Sequence, residues 1–440
     1  MFGHGTIERR TRDAKPATGN LLWGSLGRQG TGCGSIDYKG ERLKGAPMNC
    51  VFAKTIYTGR RVLSNAYLVF TGPKISGTAA SAKGRREGDF DVITPAFIDA
   101  HSHIGMERAG EPSSEGEAND QIDSILALPD ALDSIQMDDT GLRDAVEMGV
   151  LYSCVVPGSG NIIGGHAAVI RNYAPTSTAA LISRGGMKAA FGYNPRSTHR
   201  WKGKRPSTRM GAVALLRSRL DEVQQKVAKY NQARGAKKQE ITFSAEEKVL
   251  QDLLAGKLRM RAHVHKIDDI AALLRLVDDF KIQATVEHAM DVHRPEIFQE
   301  LRRRKIPVVY GPLDAFAYKV ELKHENWRNV RNLLASRVEF GLMTDHPVTL
   351  ARQLLLQTRW FLRAGLSKQQ AIELISRKNA QILGIDDRLG TLESGKWASF
   401  IGWNGDPFDL ASYPVAVYAE GSVVFADGVG PQDGPALFYS

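Results

Sequence analysis

Cysteine is scarce: Cys33, Cys50 and Cys154 are the only three, and no two form a C-x-x-C pair. An odd count without paired spacing argues against a disulfide framework. No segment reaches the ~18 consecutive apolar residues that a membrane-spanning helix needs, and the opening MFGHGTIERRTRDAK lacks the apolar run of a secretory signal. Zinc-finger, homeodomain and RNP-type signatures are missing too. No repeat or low-complexity tract appears. These absences set the expectation of a soluble, cytoplasmic protein with neither a membrane nor a nucleic-acid partner.

The 440 residues are 42% hydrophobic and 24% charged, ordinary globular values for a chain able to bury a large core. The net charge of +10 gathers in the N-terminal third and in Arg196–Lys238. Without a nucleic-acid signature, that charge reads as a solvated surface that could also draw in an acidic substrate. Residues 1–46 are rich in Gly, Arg, Lys and Thr and show little periodicity, so they read as an irregular extension. Short β-rich runs then appear near both ends, CVFAKTIYTG and NAYLVFTGPKIS early and VAVYAEGS with VVFADG late. They predict one small β-sandwich domain assembled from 47–94 and 386–440. Between them strand and helix patterns alternate through about eight strands, which favours a parallel (β/α)8 TIM barrel over 95–385, an α/β fold. The stretch 196–256 exceeds a normal connection and predicts a helical, lid-like insertion after the fourth strand. One helix is expected over Thr349–Gly365.

The histidines cluster by position. ITPAFIDAHSHIG places His101 and His103 two apart after an apolar run, where i and i+2 side chains of an extended segment face the same way and can meet one metal ion. LRMRAHVH ends at His263 and His265, QATVEH at His288, and VEFGLMTDHP at Asp345. An imidazole-rich set with one carboxylate suits Zn²⁺ first, with Mn²⁺, Fe²⁺ or Ni²⁺ also compatible. Either item alone, an H-x-H or a strand-end His, is more often incidental; their ordered conjunction points to a metal site. Lys188 in GGMKAAFGYNP would bridge two metals if carboxylated, or else form a salt bridge or snorkel. The loop Gly158–Gly165 (GSGNIIGG) reads either as an anion cradle of backbone N–H groups or as a tight glycine turn.

At TPAFIDAHSHIG, VPGSGNIIGGHAAVIR, MKAAFGYNP, TRMGAVALLR, RAHVHKIDDI, VEHAMD, MTDHPV and ISRKNAQILGIDDRLGTLESGKWASF the chain resembles the amidohydrolase superfamily, in its imidazolonepropionase-related branch. The resemblance runs from about Asn49 to the C-terminus. It implies one or two divalent metals, with His101 and His103 on the buried ion, His263 and His288 on the more exposed one, and Lys188 between them. It implies that Asp345 is both ligand and general base, and that His265 binds substrate or polarises its carbonyl. Asn161, His166, Tyr193 and Arg209 fall where substrate contacts are expected. The chain departs from the pattern at GYNP, where Tyr193 replaces an acid, and at GKWASF, where an Asp is usual.

The activity implied is hydrolysis of a C–N bond in an amide, cyclic amide or peptide-like small molecule by metal-activated water. A peptide-tailoring hydrolase acting beside an amidine or azoline is one alternative. A ring-amidine deaminase is another, opposed by Lys266, which stands where such deaminases carry a catalytic Glu. A catalytically silent binding subunit is the third. A homo-oligomer is expected.

Overall fold

The structure, a computed structural model, describes residues 46–315 and 319–428. The extension read at 1–46 lies outside the described residues except for its last position. The described chain opens with β1 (Met48–Tyr57), β2 (Val62–Thr71), β3 (Lys74–Ala79) and β4 (Arg85–Pro95). After Ala96 it passes directly into the first barrel strand, β5 (Phe97–Ser102). The barrel continues with β6 (Val150–Val155), β7 (Ile163–Arg171), β8 (Leu181–Ala190), β9 (Met260–Val264), β10 (Ala284–His288), β11 (Val308–Tyr310) and β12 (Phe340–Leu342), hydrogen-bonded in that order. All eight correspond to strands expected from the sequence.

One strand runs against the rest. β7 pairs antiparallel with both neighbours, Val155 opposite Ala168 and Gly165 opposite Lys188, whereas the other adjacent pairs are parallel. The reason is length. A parallel crossover takes a dozen or more residues, and 156–162 joins β6 to β7 with fewer. The sheet is nearly closed. The Asn379 amide donates to the carbonyls of Ile98 on β5, at 2.5 Å, and Leu342 on β12, at 2.8 Å. Beyond the strand ends, Asp345 N–H donates to the His101 carbonyl and His103 N–H to the His346 carbonyl, both at 3.0 Å.

The chain then returns to the first sheet with β13 (Phe400–Trp403), β14 (Pro414–Ala419) and β15 (Ser422–Ala426). The result is one seven-stranded sheet in the order β15-β14-β13-β4-β1-β2-β3, so strands from both ends of the described chain share it. It has a core of its own around Phe70, Phe400 and Tyr418, the last two stacked at 4.3 Å.

Helices form where apolar spacing and caps agree. In Ile267–Phe280, the buried Ile270, Leu273, Leu274 and Leu276 make a stripe, and the helix stops at Lys281 in the left-handed region. Ala245–Leu254 starts with a reciprocal Ser244–Glu247 capping box. With Arg209–Gln232 it forms the helical stretch between β8 and β9. The single helix expected at Thr349–Gly365 is broken into short turns, Ala351–Gln353, Leu354–Gln357 and Arg359–Arg363. Thr358 falls at the break, its hydroxyl donating back to the Leu355 carbonyl at 2.6 Å. That local bond competes with the helical ladder.

Candidate metal centre

The barrel interior is charged beneath its rim. Arg261 and His263 share one face of β9, and Thr285 and Glu287 share one face of β10, by the two-residue period of a strand. Glu287 is fully buried. It accepts from Arg261 Nη2 at 3.2 Å, from Thr285 Oγ1 at 2.5 Å, and faces His101 Nδ1 at 2.9 Å. A buried charge persists only when paired and hydrogen-bonded, and this floor meets that condition. It also aims His101.

On that floor stand two donor sets, His101 with His103 and Asp345, and His263 with His265 and His288; within each set the donor atoms lie within 4.8 Å of one another. They adjoin, since the His101 and His288 rings are 5.0 Å apart. Asp345 Oδ1 is 3.5 Å from His101 Nε2 and 3.2 Å from His103 Nε2. Lys188 Nζ, fully buried on β8, is 3.3 Å from His101 Nε2. His288 and Asp345 both hold positive φ, 76° and 52°. That conformation is uncommon outside glycine and is held here by the surrounding structure. Asp99 accepts the Thr344 N–H at 3.0 Å and, more closely, its hydroxyl, and so ties Asp345 to the strand that carries His101.

Burial shapes the electrostatics. It drives His101, His263 and His265 well below the ordinary histidine value and His288 down to about 3, so these imidazoles are neutral and offer lone pairs. Burial likewise lowers Lys188 to about 8, against the pull of Asp345 and Glu287. Burial alone would raise Asp345, but His288, His103 and Lys188 hold it ionised well below its ordinary value. Asp99 is pushed by burial up to about 7.

These residues fit a divalent cation. His288 Nε2, His263 Nδ1 and His265 Nδ1 are buried without a hydrogen-bond partner, an arrangement that costs free energy unless something binds there. His103 and His288 turn their other nitrogen to the carbonyls of Val156 and Gly311, as metal-bound imidazoles do.

The outlying candidates sit elsewhere. Asn161 spends its amide on the Asp120 carbonyl and on Arg205, so it serves a loop junction. His166 has Asp130 and Arg184 as its charged neighbours and is not brought into the histidine cluster. Arg209 is paired with Asp269 at 3.0 Å. Tyr193 is closer in, its N–H donating to Glu321 Oε2 at 2.8 Å. The anion-cradle reading of Gly158–Gly165 gives way to the turn. Gly158 and Gly160 donate their N–H groups to the Ala118 carbonyl and the Asn119 side chain. Their glycine character answers to crowding, since a Cβ on Gly160 would lie 2.5 Å from Trp201. Glu287, Arg261, Asp99 and Glu321 escaped the sequence reading. A charged residue inside an apolar strand was the available signal for the first three; Glu321, on the three-residue 3-10 turn Val320–Leu322, left none.

A nearly closed α/β barrel with neutral imidazoles and an ionised carboxylate at one rim defines the class, an α/β barrel whose rim side chains could hold a divalent metal. The sequence profile of the Amidohydrolase family matches residues 224–428. A crystal structure of an amidohydrolase from Thermotoga maritima MSB8 is 30% identical with a TM-score of 0.80, covering 86% of this chain and 100% of its own. The chain belongs to the amidohydrolase family, hydrolases that act on C–N bonds. Amidohydrolase tasK of Hapsidospora irregularis is 25% identical over 370 residues, 79% of this chain; the match spans only 37% of that protein. The A. niger ochratoxinase structure shares the fold at a TM-score of 0.55 and 16% identity, covering 88% of this chain and 98% of its own.

Proposed function

We propose that the chain hydrolyses an amide, cyclic amide or small peptide-like substrate, with Asp345 as general base at a centre holding one or two divalent metals, zinc first. The observation that carries this reading is the pair of adjoining donor sets with Asp345 in contact with both His101 and His103. When bound, the cation supplies Lewis acidity, lowering the pKa of water from 15.7 toward ~7 and polarising a carbonyl. His101, His103, His263 and His288 would hold it, and Lys188, carboxylated, would bridge two ions. Asp345, ionised at neutral pH, accepts the proton of the attacking water and returns it to the leaving nitrogen. Tyr193, whose N–H donates to Glu321 beside His263 and His265, would lie near bound substrate.

Support for a carboxylated Lys188 is chemical. Only a neutral amine attacks CO₂, and burial brings this amine to about 8. The test is turnover of N-acyl amino acids, dipeptides and cyclic amides by metal-loaded protein and by Asp345→Asn. Loss of a positioned base costs ~10²–10⁴-fold in rate. Equal turnover by the variant sinks the assignment of Asp345.

A further inference from the structure

Three of the clustered imidazoles obey one rule: the nitrogen turned away from the metal pocket meets a protein oxygen. For His101 it is Glu287 at 2.9 Å, for His103 the Val156 carbonyl at 2.7 Å, and for His288 the Gly311 carbonyl at 3.0 Å. Such an outer partner fixes the tautomer and aims the remaining lone pair. His263 and His265 are built the other way round. Their Nδ1 atoms are buried without a partner, while their Nε2 atoms lie 3.8 and 3.9 Å from one carboxylate oxygen, Oε1 of Glu321.

Glu321 is held for this task. It is buried, its Oε2 is anchored by the Tyr193 N–H, and its Oε1 has no hydrogen-bond partner. Gly192, at φ 83°, makes room for it, since a Cβ there would lie 2.7 Å from Oε2.

We propose that Glu321 is the positioning residue of this half of the centre. It accepts the Nε2–H of His263 and His265, fixing both tautomers so that both Nδ1 lone pairs face the metal. Hydrogen bonds at active sites are often long before the ligand arrives and tighten on binding, and 3.8 and 3.9 Å leave about an ångström to close. Asn194 joins in. Its Nδ2 is set 3.2 Å from His263 Nε2, donor against donor in this tautomer, and turning the amide over presents Oδ1 as a second acceptor. Two consequences follow. His265 becomes a metal ligand with His263 and His288, not a substrate contact. The acid absent from position 193 is supplied in space by Glu321, from the segment after β11.

The inference rests on the metal-hydrolase reading above, and its test separates the two. Metal-free protein labelled with ¹⁵N-histidine reports which ring nitrogen carries each proton, with His263→Gln and His265→Gln variants assigning the signals. Zinc affinity is read by chelator competition for wild type, Glu321→Gln and Glu321→Asp. Glutamine keeps an acceptor for the Tyr193 N–H but is a weaker partner for imidazole. The expected result is Nε2–H on both imidazoles in the wild type. In Glu321→Gln the weaker-bound zinc is held ~10–100-fold less tightly, with partial rescue by Glu321→Asp and an unchanged melting temperature. Protons on Nδ1 in the wild type overturn the proposal whether or not the variants fold. Wild-type affinity in Glu321→Gln overturns it equally. A wild type that takes up no zinc at all removes the hydrolase reading, and this proposal with it.

Discussion

Replacing Glu287 by glutamine tests whether the charged barrel floor holds the protein together. Glu287 is fully buried and takes donors from His101, Arg261 and Thr285. Glutamine fits the same space but carries no charge, which leaves the Arg261 guanidinium in the interior with neutral acceptors alone, the Ala100 and Gly185 carbonyls at 2.7 and 3.4 Å among them. Removing one partner of a buried ion pair costs ~3–5 kcal/mol, because the other charge stays desolvated and unpaired. Removing both can be nearly neutral, so Arg261→Met with Glu287→Leu should lose less than the single variants combined. The residue of that loss is the cost of stranding His101 Nδ1, ~1–3 kcal/mol. The assay is urea denaturation of chelator-treated protein, followed by circular dichroism. A Glu287→Gln stability within ~1 kcal/mol of wild type, below what a broken pair must cost, refutes the argument. A second reading is independent of stability: His101 loses its aim, so zinc affinity falls ~10–100-fold.

Three further perturbations probe neighbouring features. Lys188→Ala should lower metal content from two ions per chain to one or none by elemental analysis; unchanged content makes the lysine structural. Metal-free protein should lose stability as pH falls below about 6.5, because unfolding lets His101, His263, His265 and His288 take up protons that burial denies them in the fold. Asp99, raised to about 7, works the other way by one proton, since it is protonated in the fold and ionised when released. From these five groups about three protons net enter on unfolding near pH 5, four less one, an upper slope of ~4 kcal/mol per pH unit, and a urea midpoint that does not move between pH 7 and 5 contradicts it. Gly341→Ala drives a Cβ to 1.8 Å from Asn379 Oδ1, at the side chain that joins the first and last barrel strands. Overpacking there should cost ~1–3 kcal/mol in the same urea assay.

Much of the barrel was legible because strands that end in a functional residue combine two signals. An apolar run such as ITPAFIDA states its burial, and the polar residue that breaks the run, His101, then sits at a sheet edge. The same reading located the strands that carry His263 and His288 and the one that leads to Asp345. Direction is a different matter. The alternation of side chains in Ile163–Arg171 is the same whichever way the strand runs, and only the short link before it forces the antiparallel pairing. The Thr349–Gly365 pattern failed for a local reason. Apolar periodicity does not register a threonine that bonds back to its own turn, as Thr358 does.

Glu321 shows where the reading had to stop. Its neighbours along the chain, KVELKH, have no period that marks it as buried. It reaches the centre from the short 3-10 turn Val320–Leu322, where the Tyr193 N–H donates to its carboxylate. The candidate ligands sit at the ends of regular strands or within three residues beyond them, so the strand pattern leads a sequence reading to them. The groups that orient the ligands come from wherever the chain happens to pass, and Val156, Gly311 and Glu321 share no pattern beyond an oxygen in the right place. A carbonyl in that role leaves no trace in composition at all, since every residue has one. A side-chain carboxylate is the one kind of outer partner that substitution can remove cleanly, and for that reason Glu321 and Glu287 are the positions where the design of this centre can be taken apart.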